Sequence, residues 1–279
     1  MKSSKNKRTN RNTLLVYLIL VLGSLLMLFP FLWTITTSLK SITESMRIPP
    51  TLLPEAMRFA NYTEAMIRVD FGTLYYNTAV MVGARTLAAI MFSTMAAYAF
   101  ARIDFPLKNF FFAMVLIQMM VPGQIFLIPQ FLLMARLDWL DTVKALVAPG
   151  IVSAFGTFLM RQFFLSLPKD LEEAARIDGC NQWQTYWHVM MPLARSGMVA
   201  LGIFTALFAW KDLMWPLIVN TSADKMTLST GLANLKGTFT TNYPVLMAGS
   251  LIAMWPMILL FILFQRQFIE GIASTGSKN

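Results

Sequence analysis

The sequence predicts an all-α, polytopic membrane protein with six transmembrane helices, and three observations carry that prediction. Hydrophobic residues make up 56% of the 279 and charged residues only 13%, about half the roughly 25% charged share of an ordinary soluble domain. Six apolar stretches are long enough, at about 20 residues each, to cross a hydrocarbon core about 30 Å thick. Lys and Arg also favour alternate loops, as retention of positive charge on the cytoplasmic side requires. One cysteine, Cys180, excludes a disulfide framework and a Cys-based zinc site. One histidine, His188, excludes a His-cluster metal centre.

The first stretch, residues 13–39, contains no charge and follows a basic tail at 1–12 with Lys2, Lys5, Lys7, Arg8 and Arg11. That prelude resembles a signal peptide, but the apolar run exceeds the about 7–15 residues of a cleaved signal, so it reads as a retained helix. Residues 40–72 form an outer loop. The other five spans fall in a core at 73–268: 76–101, with Arg85 inside it; 109–134, interrupted at Val121-Pro122-Gly123 and again at Pro129; 145–165; 197–219; and 244–264. Residues 269–279 form a second tail.

With the N-terminus inside, 13 Lys and Arg lie on the cytoplasmic side and 9 outside, Arg85 completing the 23. Counting carboxylates, the inner side nets +7 and the outer side +1. The charge is therefore a topology signal that places both termini in the cytoplasm, and it offers no case for nucleic acid. Every carboxylate is assigned to a loop, a tail or the edge of a span, Asp212 being counted with the outer residues 211–236 although the 197–219 stretch includes it. Proton-coupled carriers keep ionisable relays within the membrane, so active transport by this chain would need a partner's energy.

The inner loop at 166–192 reads as two short helices. Pro168 opens the first, where its missing N–H is harmless, and Asp170, Glu172 and Glu173 lie near the positive end of its dipole. Spacing puts Leu171, Ala174 and Ala175 on one face and Glu172, Glu173 and Arg176 on the others. Gly179 suits a left-handed residue after the helix. Asn181 and Gln184 form a weak capping box. Trp183, Tyr186, Trp187 and Met190 then make one aromatic stripe suited to the headgroup level.

Glu173-Ala174-Ala175-x-x-Asp178-Gly179, followed by Val189-x-Met191-Pro192, resembles the EAA motif of ABC importer permeases. Asn77-Thr78, Ala97-Tyr98-Ala99-Phe100-Ala101-Arg102, Pro122-Gly123, Phe158 to Phe164 and Ala209 to Pro216 are similar to the carbohydrate-uptake branch, which includes the maltose and glycerol-phosphate importers. Lys211 departs from the asparagine usual there, so no role transfers to it. The resemblance implies a type I permease fold in a bacterial or archaeal plasma membrane. It implies pairing with a second, different permease, two ATPase subunits that hold ATP and Mg, and an extracytoplasmic sugar-binding protein. It makes Glu172, Glu173, Ala174, Ala175, Asp178, Gly179 and Pro192 the ATPase-coupling set, with no catalytic or metal site and no cofactor in this chain. The absence of a G-x-x-x-x-G-K-[ST] phosphate loop agrees with that division of labour.

Arg85 has two readings: it faces the translocation path or the partner permease, or it snorkels to the outer surface, the reading with a slight edge. Cys180 and the methionines read as packing residues, His188 as interfacial, and the Asn61 and Asn220 glycosylation sequons as incidental. In the resembled family the outer loop at 220–243, with Gly231 and Gly237, reaches toward the docked binding protein. The competing functional classes are a self-sufficient secondary carrier or channel and an intramembrane enzyme. The first calls for internal repeats or intramembrane ionisable groups. The second calls for paired carboxylates or a Ser/His arrangement, and neither pattern is evident.

Overall fold

The computed structural model describes residues 4–236 and 241–276, and all regular structure among them is helical. In chain order the helices are α1 (Ser4–Ser38), α2 (Ile42–Ser45), α3 (Ala60–Arg68), α4 (Phe71–Arg102), α5 (Lys108–Met120), α6 (Leu127–Arg136), α7 (Val143–Val147) and α8 (Ala154–Ser166). They continue as α9 (Asp170–Ile177), α10 (Gln182–Thr185), α11 (Met191–Leu193), α12 (Arg195–Trp210), α13 (Met214–Val219), α14 (Leu228–Ala233) and α15 (Tyr243–Gly276). Lys2, Gly237 and Lys278 lie outside the described residues.

Three helical segments are individually long and apolar enough to span: Thr13–Ser38, Phe71–Arg102 and Tyr243–Gln265. Three more candidates are bent pairs: Lys108–Met120 with Gly123–Arg136 at 100°, Val143–Gly150 with Ala154–Ser166 at 43°, and Gln182–Leu193 with Arg195–Trp210 at 76°. The count reaches six when each pair is one span. The sharpest bend falls at the expected Val121-Pro122-Gly123 break. The fifth stretch differs from expectation. Its helix stops at Trp210, so at 1.5 Å per residue α12 is only about 24 Å long, and Lys211 and Asp212 occupy a break before α13.

The chain divides into two compact units. One comprises the residues up to Asp70 with Leu232–Trp255. The residues after α1 are tied down by polar contacts. The Lys40 ammonium lies 4.5 Å from the Trp33 ring centroid and donates to the Thr51 carbonyl. The Asn61 amide donates to the carbonyls of Ser38 and Lys40 at 2.8 and 2.9 Å. Asn61 is thus a buried structural residue. Asn220, in the other unit, is buried too, and its amide donates to the Lys225 carbonyl.

The second unit comprises Phe71–Gly231 and the residues from Pro256 onward. Its axis is α4, packed against α8 and α12. Gly156 lets α8 approach closely, since a Cβ there would lie 2.6 Å from Ser93 Oγ and 2.9 Å from Leu201 Cδ1. One buried cluster joins Tyr98, Met160, Phe164, Tyr186, Met190 and Leu201. A second joins Met81, Met134, Leu146, Trp215 and Val219, where the Trp215 indole donates to the Ala145 carbonyl at 2.8 Å. The 220–231 stretch is fastened to α4. Asn77 Nδ2 donates to the carbonyls of Asp224 and Met226, and Thr78 Oγ1 accepts from the Leu228 N–H.

Candidate functional site

The elbow at 166–192 forms the two predicted short helices. α9 ends in a Schellman motif: Gly179 has φ +83°, its N–H donates to the Arg176 carbonyl, and the Cys180 N–H donates to the Ala175 carbonyl. Asn181 and Gln184 make a complete capping box, each side chain accepting from the other's backbone N–H. Pro192 lies in the short α11 just before α12.

The faces of α9 differ from those expected. Glu172 and Ala175 turn inward, while Leu171, Glu173, Ala174, Ile177 and Asp178 are exposed. The cause is Arg102, at the end of α4. Its Nε lies 3.1 Å from Glu172 Oε1, and its Nη2 donates to the carbonyls of Phe164 and Leu167. The charged pair outweighs the apolar preference of Leu171 because a lone buried cation would be far more costly than an exposed leucine. Burial pushes the Glu172 carboxyl above the usual range, opposed by the charges of Arg102, Arg176 and Lys169. The consequence is an outer surface on which Glu173 sits beside Leu171, Ala174 and Ile177, the last 86% exposed.

The aromatic stripe also divides. Trp183 and Trp187 are exposed, whereas Tyr186 and Met190 are buried in the core against Tyr98 and Phe164. Residues Tyr186–Met190 adopt a π turn, and its wider winding rotates the stripe off a single helical line. The Tyr186 hydroxyl meets Thr94 Oγ1 at 2.7 Å.

Arg85 does not snorkel. It is buried within α4, its Nη1 lies 2.8 Å from Asp212 Oδ2, and its Nε donates to the Leu146 carbonyl at 2.7 Å. Gly150 makes room for it, since a Cβ there would lie 2.6 Å from Arg85 Cδ. The Asp212 backbone carbonyl in turn accepts from Ser229 Oγ at 2.5 Å. The residue that sequence reasoning missed is Asp212, which was taken for an outer-loop carboxylate. The available signal was Arg85 itself: a mid-span cation demands an anion, and Asp212 stands within the 197–219 apolar run. The pair borders a groove of about 1130 Å³ lined by aromatic rings (Phe155, Phe204, Phe208, Trp215) and polar groups that include Gln118, Gln124, Thr205 and Lys211.

Residues 89–273 match the family described as binding-protein-dependent transport system inner membrane component. This chain belongs to that family. Similar proteins include the arabinooligosaccharides transport system permease protein AraQ of Halalkalibacterium halodurans, 37% identical over 90% of this chain and 91% of the relative. They also include the sn-glycerol-3-phosphate transport system permease protein UgpE of Brucella suis biovar 1, 33% identical over 95% and 97%. A crystal structure of a bacterial ABC transporter involved in the import of the acidic polysaccharide alginate contains a chain of the same fold. Its TM-score is 0.80 at 22% identity, covering 96% of this chain and 99% of that one. The fold is therefore that of an ABC importer permease, a multi-pass inner-membrane transport component. The elbow and the Arg85 groove lie in one compact unit, Arg85 near the midpoint of α4 and the elbow against its C-terminal half.

Proposed function

We propose that this chain is one of two different permeases in an ATP-driven importer and lines the path of a sugar delivered by an extracytoplasmic binding protein. The substrate class is an oligosaccharide, a disaccharide or a related polyol or glycerol derivative, the kind of cargo for which AraQ and UgpE are named. The groove supports this reading, because aromatic faces stack on sugar rings while amide, hydroxyl and carboxylate groups pair with hydroxyls. Both termini face the cytoplasm in this proposal. ATP and Mg are held by the ATPase subunits, and this chain supplies no catalytic group.

The observation that carries the coupling role is the fixed elbow. Glu172 is committed to Arg102 inside the permease, which leaves Glu173 free on the outer surface, flanked by Leu171, Ala174 and Ile177. Such a surface suits a cleft on an ATPase: the apolar residues lose water there and Glu173 meets a basic partner. A charged contact desolvated in that way is sensitive to removal of either side, by about 3–5 kcal/mol. Glu172, Ala175 and Gly179 fix the helix's angle; Glu173 and Ala174 make the contact; Asp178 caps the helix at its exposed end; Pro192 starts the return into the membrane.

The test is Glu173→Lys in the assembled transporter, with sugar uptake and ATPase retention after mild detergent extraction as readouts. The expected result is normal membrane insertion with uptake and retention both lost. Normal uptake with normal retention would remove the elbow as the coupling element. Substrate-specific uptake by this polypeptide alone in liposomes would establish a self-sufficient carrier instead.

A further inference from the structure

α4, α12 and the part of α15 beyond Pro256 leave a cleft of about 410 Å³ between them, away from the Arg85 groove. Its walls are apolar, and Ile90 of α4, Val199 of α12 and Phe264 of α15 are among them. Gly202 deepens the floor, since a Cβ there would lie 3.2 Å from Ile90 Cδ1. Along α12 the cleft runs from Arg195 to Ala206, which at 1.5 Å per residue is about 16 Å. That equals one leaflet of a hydrocarbon core about 30 Å thick.

Arg195 closes one end. It is the first residue of α12 and exposed, and it has no ion pair with any of the described side chains, which on α15 end at Gln265. A cation at the end of an apolar slot of leaflet depth fits an amphiphile with a negative head. The slot's apolar walls and leaflet depth suit a hydrocarbon chain.

We propose that this cleft is a binding site for an anionic phospholipid, its phosphate on Arg195 and one acyl chain along Val199, Gly202 and Ile90. Basic pockets between transmembrane helices are suited to such headgroups because a desolvated phosphate and guanidinium pair strongly. A lipid there is wedged between α4, α12 and α15.

The experiment is native mass spectrometry of the full chain, extracted in mild detergent with the subunits that copurify and supplied with phosphatidylglycerol or phosphatidylcholine. Wild type is expected to retain phosphatidylglycerol through collisional activation that strips phosphatidylcholine. Arg195→Gln and Val199→Phe should each reduce that retention at least fivefold, and Arg195→Lys should keep it. Matching elution profiles confirm that the variants are folded; Arg195 is exposed, so its replacement leaves the packing intact. Three results would overturn the site: equal retention in wild type and both variants, equal retention of the two lipids, or displacement by soluble glycerol 1-phosphate. A photo-cross-linker at position 199 that captures a subunit instead of lipid would also overturn it.

Discussion

Replacing Arg85 by methionine removes a cation but keeps most of its apolar stem. The arginine side chain is 9% exposed and that of Asp212 23%. Breaking a fully buried pair costs about 3–5 kcal/mol, and an exposed one about 0–1 kcal/mol. The partial exposure of Asp212 moves the expected loss to about 3 kcal/mol, a figure that includes the Leu146 carbonyl left without its donor. At roughly 2–4 °C per kcal/mol for a chain of this size, the apparent Tm falls by about 6–12 °C. The assay is thermal unfolding in mild detergent, followed by tryptophan fluorescence at one fixed scan rate, because unfolding of such a protein is kinetically controlled. The double variant Arg85→Met/Asp212→Leu should recover at least half the loss, since hydrophobic replacement of both partners is often neutral. A single variant that unfolds at the wild-type temperature, or a double variant no better than the single, would refute the idea that this pair holds the break between α12 and α13 against α4.

Gly179→Val should loosen the elbow by about 1–2 kcal/mol, because φ is +83° and nothing crowds the new Cβ; faster amide exchange at 177–182, largely restored in Gly179→Asn, checks it. Tyr186→Phe should cost about 1 kcal/mol through loss of the Thr94 hydrogen bond, a drop of about 2–4 °C in the same melt. Asp141 is held below the usual carboxylate range by the Ser222 hydroxyl, against burial, with help from the N–H groups of Ser222 and Thr221 and the Lys225 charge. A depressed native pKa contributes stability that is complete above the unfolded carboxylate range and lost as pH falls through the native value. The stability gap between wild type and Asp141→Asn should therefore be constant near neutrality and close on acidification; a gap independent of pH would sink the assignment.

Local rules carried much of the elbow. The left-handed turn at Gly179, the Asn181–Gln184 box and the break at Val121-Pro122-Gly123 depend on residues within a few positions of one another, so spacing sufficed to find them. The orientation of α9 did not follow from spacing, because Arg102 decides it from some 70 residues away by drawing Glu172 inward and leaving Leu171 outside. Likewise the aromatic stripe obeyed a 3.6-residue period on paper, but a single π turn sends Tyr186 inward and Trp187 outward. The snorkelling reading of Arg85 failed for the same reason: its partner Asp212 is distant in sequence. It also lies past a helix end that hydropathy cannot place, because the apolar run continues through α13.

The Arg102 junction also has a mechanical consequence. One guanidinium grips the last turn of α8 through Phe164, the following strand of chain through Leu167, and α9 through Glu172, while belonging to the final turn of α4. Three segments are thus held to one side chain. A load applied to the outer surface of α9 reaches α4 and α8 together, as torque on two stiff rods clamped at one end. The displacement at the far ends of those rods grows with their length, and α4, at 32 residues, is about 48 Å long. A tilt of a few degrees at the clamp would move the far end of such a rod by a few ångströms, with the Arg85–Asp212 pair about midway along it.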